Sequence, residues 1–388
     1  MYESLISLER EFDGHLDQPR VRLDEQPLIP ALAARWSQAV WAAAQAEGPV
    51  VLGRTEVSRG LDVARRPIFI CGAHRSGTTL VRDLLDGHPA LAVLPSEGTF
   101  FTGSRRPLSR HAPARRLELL GGEWLRRLAN PIHQAPYWVL GRSSPQHSPY
   151  VYFARCLMAW WPLAKRHLGV TASSWPLAAI ALAYTQCTGG LSDSSCILHW
   201  AEKSPTNERF LDRLHREFPR GRVIHVIRHP LAVLASRGQE ARNAGQTSLP
   251  LLRIARDLER SYRIAVRRSR QAADQRYLLL RYEDLLAAPQ RAIERLGAFL
   301  GIGVLPLMLE PTVAGLPVAS NSSFHEDAIP GRIEPGAAQA RIEALSPAAR
   351  ERLAAIVGDS AAQLGYEIAP VPAWRRTVLR VAARLGVP

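Results

Sequence analysis

Residues 72–79 read GAHRSGTT, between the apolar run PIFIC and the helix-forming run TTLVRDLL. The two glycines, Gly72 and Gly77, have the spacing of a strand–turn–helix phosphate loop, G-x-x-x-x-G-K-[ST]. In such a loop the backbone N–H groups, here those of residues 75–79, converge at a helix N-terminus and favour an anion. Thr78 stands where a nucleoside-triphosphate enzyme has the lysine that reaches the β- and γ-phosphates. Thr79 keeps the Ser/Thr position. A loop with this chemistry suits a single phosphate carrying a transferable group better than a triphosphate.

The chain has 388 residues and 46% hydrophobic residues, enough for one large domain or two modest ones. Its formal charge of +14 points to an anionic partner, but nearly every basic residue is arginine. Lys165 and Lys203 are the exceptions. Such a skew reflects composition bias, so bulk charge by itself names no ligand. The four cysteines, Cys71, Cys156, Cys187 and Cys196, form no Cys-x-x-Cys pair, which fits free thiols in a reducing compartment. The acidic start MYESLISLEREFDG lacks the pattern of a secretion signal, and no uncharged apolar run approaches ~20 residues. The expectation is a soluble cytoplasmic protein.

The elements that must position the loop alternate between strand and helix. PIFICG, LAVLP, CILHWAEKSP, RVIHVIRHP and RYLLLRYEDLLAAP read as strands, the last running into a turn. NERFLDRLHREFP, PLAVLASRGQEAR, QRAIERLGAFLG and PAARERLAAIVGDSAAQLGY read as helices. This pattern predicts an α/β fold: a P-loop NTPase-like parallel sheet flanked by helices, with helical insertions. Residues 1–60 form a helical extension and 61–370 the main domain, interrupted at about 98–190 by an aromatic-rich helical insertion suited to an acceptor. Residues 371–388 form a basic amphipathic helix, with Trp374, Val378, Val381 and Leu385 on one face and Arg376, Arg380 and Arg384 on another. That helix rests either on an anionic membrane surface or on the domain itself.

Five segments together resemble the sulfotransferases that use 3′-phosphoadenosine 5′-phosphosulfate (PAPS), in particular the tyrosylprotein sulfotransferases and their bacterial relatives. They are PIFICGAHRSGTTLVRDLLDGHP, AEKSP, RVIHVIRHPLAVLASR, LRYEDLLAAPQRAIERLGAFLGI and LGYE, spread over about residues 67–367. The first and third are the most specific. The resemblance implies a bacterial transferase with PAPS as donor co-substrate and no metal. It implies a hydroxyl or amine acceptor on a small molecule, glycan, lipid or peptide.

The resemblance also implies roles. Arg75, Ser76, Gly77, Thr78 and Thr79 would cradle the 5′-phosphosulfate, stabilising charge that grows on the leaving phosphate. Arg228, at a strand end, and Ser236, eight residues on, would clamp the 3′-phosphate. The family often has a further arginine four residues beyond that serine; Glu240 occupies the place here, leaving Arg237 or Arg242 as substitutes. Lys203 would contact the bridging oxygen or the sulfuryl group, where a compact ammonium fits and a planar guanidinium does not. Its rarity in the chain supports that role; read alone, it is a surface lysine before SPTNE. Glu97, in VLPSEGTFF, would be the general base, with His74 the alternative and His88 a helix-end residue. Read alone, Glu97 is a capping or solvated carboxylate. Tyr282 would lie on the adenine side, or else in the core. Arg341 and the loop SNSS at 320–323 would close over the nucleotide.

Three rival readings remain at this level. A P-loop kinase or NTPase would need a lysine where Thr78 stands. A PAPS-binding protein without activity would keep the same motifs. Nucleic-acid binding has no helix-turn-helix or RNA-binding signature behind it, and the charge is scattered.

Overall fold

A computed structural model describes residues 2–16, 28–129, 137–169, 173–192, 194–243, 245, 250–271, 274–319, 329–333 and 338–385. Three helices come first: α1 (Glu3–Leu16), α2 (Leu28–Glu47) and α3 (Arg54–Ala64). Strand β1 (Pro67–Cys71) leads into α4 (Thr78–Leu85), and β2 (Leu91–Glu97) follows. A single π-helical turn at Phe100–Ser104 opens the helical insertion, made of α5 (Arg105–Ser109), α6 (Pro113–Ala129), α7 (Pro149–Leu168) and α8 (Trp175–Cys187). The chain returns through β3 (His199–Lys203), α9 (Leu211–Glu217), β4 (Arg222–Ile227), α10 (Pro230–Asn243), α11 (Leu251–Ser269) and β5 (Tyr277–Arg281). Next come α12 (Tyr282–Ala287), α13 (Pro289–Leu300) and a small hairpin, β6 (Thr312–Val313) with β7 (Leu316–Pro317). The last helices are α14 (Ala338–Glu343), α15 (Pro347–Gln363) and α16 (Ala373–Leu385).

The main sheet has five parallel strands in the order β2–β3–β1–β4–β5. It is the expected P-loop NTPase-like arrangement. Because β1 is central, all five of its residues are buried, and it reads as a continuous apolar run. Its alternate side chains point to opposite layers. Ile68 and Ile70 meet Leu80, Leu84 and Ile293 from α4 and α13. Phe69 and Cys71 face the larger layer, where Phe69 packs edge-on against Trp200 at 5.8 Å between ring centroids.

That larger layer absorbs most of the aromatic side chains of residues 98–190. Trp124, Tyr150, Phe153, Trp160, Trp161 and Trp175 are all buried. The N-terminal helices share this core: Trp36 of α2 lies edge-on to Trp138 at 5.4 Å and Tyr150 at 4.9 Å. The insertion therefore leans on the N-terminal helices as well as on the sheet.

One local expectation changes. The segment after β5 is helix α12 rather than a turn, because Glu283 and Asp284 sit in a first helical turn, where carboxylates are stabilised. The C-terminal helix packs on α15, the domain seat being one of the two expected for it, and its arginines bond inward. Arg376 and Arg380 reach Asp359 at 2.7 and 2.9 Å, while Trp374, Val378 and Val381 face outward. The loop 320–323 lies outside the described residues. Among the described residues, no helix is long and apolar enough to cross a membrane.

The seat of the insertion on α3 makes a test. A Cβ on Gly60 would lie 2.3 Å from the buried Trp160 ring. Gly60→Ala should destabilise the fold by about 1–3 kcal/mol in urea unfolding, despite the better helix propensity of alanine. An unchanged midpoint would mean that the α3–α7 contact yields without cost.

Candidate active site

The loop conformation follows from its neighbours. Gly72, with φ +148°, lies so near β4 that a Cβ would sit 2.2 Å from the Val226 carbonyl. Gly77, with φ +97°, lies against the Tyr282 ring, which a Cβ would meet at 2.1 Å. Both are positions where only glycine combines the required backbone angle with the required approach. Arg75 adopts φ +71°, a left-handed turn for a non-glycine residue, and such strain persists where surrounding structure holds it. Ser76 is buried, and its hydroxyl donates to the Ala73 carbonyl at 2.7 Å, so this side chain shapes the turn. Thr78 is buried at the start of α4, and Thr79 is exposed at the mouth.

The residues expected to hold two separate phosphates form one cluster. Arg75 Nε donates to Ser236 Oγ at 3.0 Å, and Arg228 donates to the Arg75 carbonyl at 3.2 Å. The Arg228 guanidinium stacks 4.3 Å from the centroid of the buried Tyr282 ring. Tyr282 thus supports both Gly77 and Arg228 from the core side. Burial lowers the Arg75 pKa; Glu240 opposes this, while Arg228, Arg237 and Arg341 add to it. The corner thus gathers several guanidinium groups around Arg75, with Glu240 among them. Of the two substitutes, Arg237 belongs to the cluster and pairs with Glu240 at 2.6 Å. Arg242 is exposed and bonds Gln239 instead. Arg341 arrives on α14, which packs against α10.

A second group forms at the carboxyl ends of β2 and β3. Glu97 and Lys203 are register partners across the two strands, beyond an irregularity that begins after Val93. Lys203 Nζ donates to Glu97 Oε1. Lys203 is 2% exposed, so it is no surface lysine, and Glu97 is not a helix cap. Burial lowers the Lys203 pKa, and Glu97 partly restores it. Burial also raises the Glu97 carboxyl, but the Lys203 charge and hydrogen bond outweigh it, and the net value lies below the ordinary 4.5. The Glu97 carboxyl is therefore ionised at neutral pH and accepts from the Lys203 amine. His74 lies within electrostatic reach of Glu97 on one side and Arg237 on the other, which joins this group to the arginine cluster. His88 stays apart: its ring bonds the Gly303 carbonyl at 2.9 Å and accepts from Ala90 N–H at 3.1 Å.

Several residues that hold Glu97 in place were not evident from motifs. Arg127 of α6 donates to the Glu97 carbonyl and to Thr99 Oγ1 at 2.9 Å. Arg82 of α4 donates to the Pro95 carbonyl at 2.7 Å and pairs with Asp83. Most telling is Glu202, fully buried beside Lys203 on β3. Its carboxylate accepts from Ser204 Oγ at 2.7 Å and Asn207 Nδ2 at 2.6 Å, while Ser204 Oγ accepts from Thr99 N–H at 2.7 Å. Burial pushes its pKa up to about 7, against the hydrogen bonds from Ser204 and Gly98. A Cβ on Gly98 would lie 2.4 Å from Glu202 Oε2, so the loop after Glu97 is pressed onto this carboxylate. The available signal was an acidic residue inside a buried strand, directly beside one of two lysines.

Because the groups around Glu202 are donors, an amide there must turn an N–H toward one of them. Glu202→Gln should cost about 1–3 kcal/mol in unfolding free energy and lower turnover by displacing Glu97. Wild-type stability and turnover would show that the Glu97 loop is held by other contacts.

Comparison with known proteins places this geometry in a family. Residues 67–306 match the family model described as "Sulfotransferase family". Mouse carbohydrate sulfotransferase 5 is 32% identical over 102 residues, a match covering 22% of this chain and 26% of that enzyme. The chain therefore spans about a quarter of the length of this curated relative. Among solved structures, the sulfotransferase domain of a Synechococcus olefin synthase is 23% identical, with a TM-score of 0.49 over 78% of this chain and 96% of its own. A sulfotransferase from Mycobacterium avium is 15% identical, with a TM-score of 0.40 over 93% of this chain and 97% of its own. The match to the family model runs from β1 through β5 and beyond α13, taking in the phosphate loop, the Glu97–Lys203 pair and the arginine cluster apart from Arg341, and this chain belongs to the sulfotransferase family.

Proposed function

We propose that this protein transfers a sulfuryl group from PAPS to a hydroxyl or amine acceptor. The observation that carries the reading is the single cluster joining Arg75, Ser236 and Arg228 beside a phosphate loop that has Thr78 in place of lysine. A donor with phosphates at both its 5′ and 3′ positions brings anionic groups to these arginines. An ordinary adenine nucleotide, with no 3′-phosphate, leaves the Arg228–Ser236 side unused.

The donor supplies a sulfur centre whose bond to the 5′-phosphate oxygen breaks as the acceptor attacks. In this reading Arg75 and the backbone N–H groups of residues 75–79 bind that phosphate and stabilise its growing charge. The Lys203 ammonium turns from Glu97 toward the bridging oxygen or the sulfuryl group. Glu97, thereby released, takes the acceptor proton as general base. Its ionised state at neutral pH suits it to the task. Ser76 and Tyr282 keep the loop in shape. His74 is the second candidate base, since it is exposed beside Glu97.

Calorimetry with 3′-phosphoadenosine 5′-phosphate against ADP, in EDTA, tests the donor. The bisphosphate should bind tightly and ADP weakly, and Arg228→Ala should weaken the bisphosphate roughly 10- to 100-fold. Equal affinities, or binding that needs magnesium, would return the loop to the kinase reading. Glu97→Ala should lower kcat by about 10²–10⁴ with donor affinity nearly intact, whereas full activity would move the base to His74.

The pH profile tests the ion pair separately. With its carboxyl held below 4.5, Glu97 stays ionised above that pH, so the acid limb of kcat/KM should lie lower still. In Lys203→Met burial remains and the opposing charge is gone, so the residual activity should show that limb shifted to higher pH. A limb that stays in place in the variant would separate Glu97 from the rate.

A further inference from the structure

Beyond the transfer reaction, and independent of it, one face of the protein combines a stripe of arginines with an outward-turned apolar ridge. The stripe is on α11, where Arg253, Arg256, Arg260, Arg263, Arg267 and Arg270 recur at alternating intervals of three and four residues. That spacing keeps them on one side of a helix. All six are exposed, and they extend over roughly 25 Å at 1.5 Å per residue. Five of them, with Arg209 from the turn before α9, edge an open groove of about 960 Å³ between α11 and α15 in which Glu259 is the sole carboxylate among the described lining residues.

The ridge is on α16. Trp374, Val378 and Val381, at i, i+4 and i+7, are 69%, 58% and 47% exposed. The same helix turns Arg376 and Arg380 inward, onto Asp359, the Val371 carbonyl and the Ala355 carbonyl. Leu379 also packs inward, against the cluster of Ala354, Ala355 and Val371, so the side toward α15 mixes arginine with leucine while the ridge stays outside.

The two features share a neighbourhood. Consecutive residues of α15 tie them together: Asp359 bonds Arg376 and Arg380 of α16, and Ser360 bonds Glu259 of α11. Glu259 in turn lies within electrostatic reach of both Arg263 and Arg380. The ridge and the stripe therefore flank the same stretch of α15.

We propose that this face docks on an anionic phospholipid surface, with the α11 arginines on the headgroups and Trp374, Val378 and Val381 in the interfacial layer. The charge pattern and the apolar ridge each match one layer of such a surface. Nucleic acid would engage the arginines and leave the ridge without a partner. A second copy, docked symmetrically on this face, would bring two arginine stripes together against like charge.

Cosedimentation of the full chain with vesicles tests this. The chain should bind phosphatidylcholine vesicles containing phosphatidylglycerol, and pure phosphatidylcholine only weakly. Arg256→Gln, Arg260→Gln and Arg263→Gln combined should weaken that binding ~100-fold. Trp374→Ala should weaken it about tenfold and abolish quenching by brominated lipid. Both variants sit on the surface, and unchanged urea midpoints would show that the loss is not unfolding. Equal partition onto neutral and anionic vesicles, or no binding to either, would overturn the proposal. So would duplex DNA binding that displaces the chain from vesicles at equal phosphate, or a dimer in solution that Trp374→Ala disperses.

Discussion

A lysine with 2% of its surface exposed requires a nearby charge, and the ion pair of Lys203 with Glu97 meets that requirement at the edge of the sheet. Much of the site's architecture serves to hold this pair in register. The ladder between β2 and β3 sets the two residues opposite each other. Glu202 points away from the pair and anchors the chain just past Glu97 through Ser204 and Gly98. Arg127 crosses from the insertion to the Glu97 carbonyl, and Arg82 holds the preceding turn of chain at Pro95. Removing either member of the pair would leave the other as a desolvated charge, so the two are coupled in stability as well as in chemistry.

The arginine cluster follows a different logic. It concentrates like charge: Arg75, Arg228, Arg237 and Arg341 gather here, with Glu240 among them. Such a cluster is tolerable in a folded protein when rigid supports hold it and an anion is expected to join it. The supports are visible. Tyr282 lies under Arg228 and against Gly77, and Ser236 accepts from Arg75. The loop places its strained residue, Arg75, at the point where it meets Arg228 and Ser236 from the segment after β4. The topology explains the location, since β1 is central and its neighbours β3 and β4 diverge from its carboxyl end, where open α/β sheets bind ligands.

The insertion contributes in a less direct way. Its aromatic residues are largely core, as Trp124, Trp160 and Trp161 show. Its contribution to the site among the described residues comes from a charged one, Arg127, whose reach to the Glu97 carbonyl ties the insertion to the candidate base. The N-terminal helices complete the same core through Trp36 and Trp41. Their packing therefore bears on the position of Glu97 through α6.

The sequence by itself determined the elements with local causes. The apolar run of β1, the glycine spacing of its loop, the alternation of strands and helices, and the arginine and serine after β4 are all short-range patterns. Their physics is carried by neighbours within a few residues. Local spacing also separated Arg237 from Arg242 poorly, because both lie within one turn or two of Ser236 on α10. Tertiary structure decided what depends on distant partners. It buried Lys203, paired it with Glu97, turned Glu202 into an anchor, and chose Arg237 over Arg242 through contact with Glu240. It also turned the arginines of α16 inward, because Asp359 of α15 happened to lie beneath them. Glu97 and Lys203 are 106 residues apart and leave no shared pattern in the sequence, and even for near neighbours such as Arg237 and Glu240 burial and charge pairing are settled only when the chain is folded.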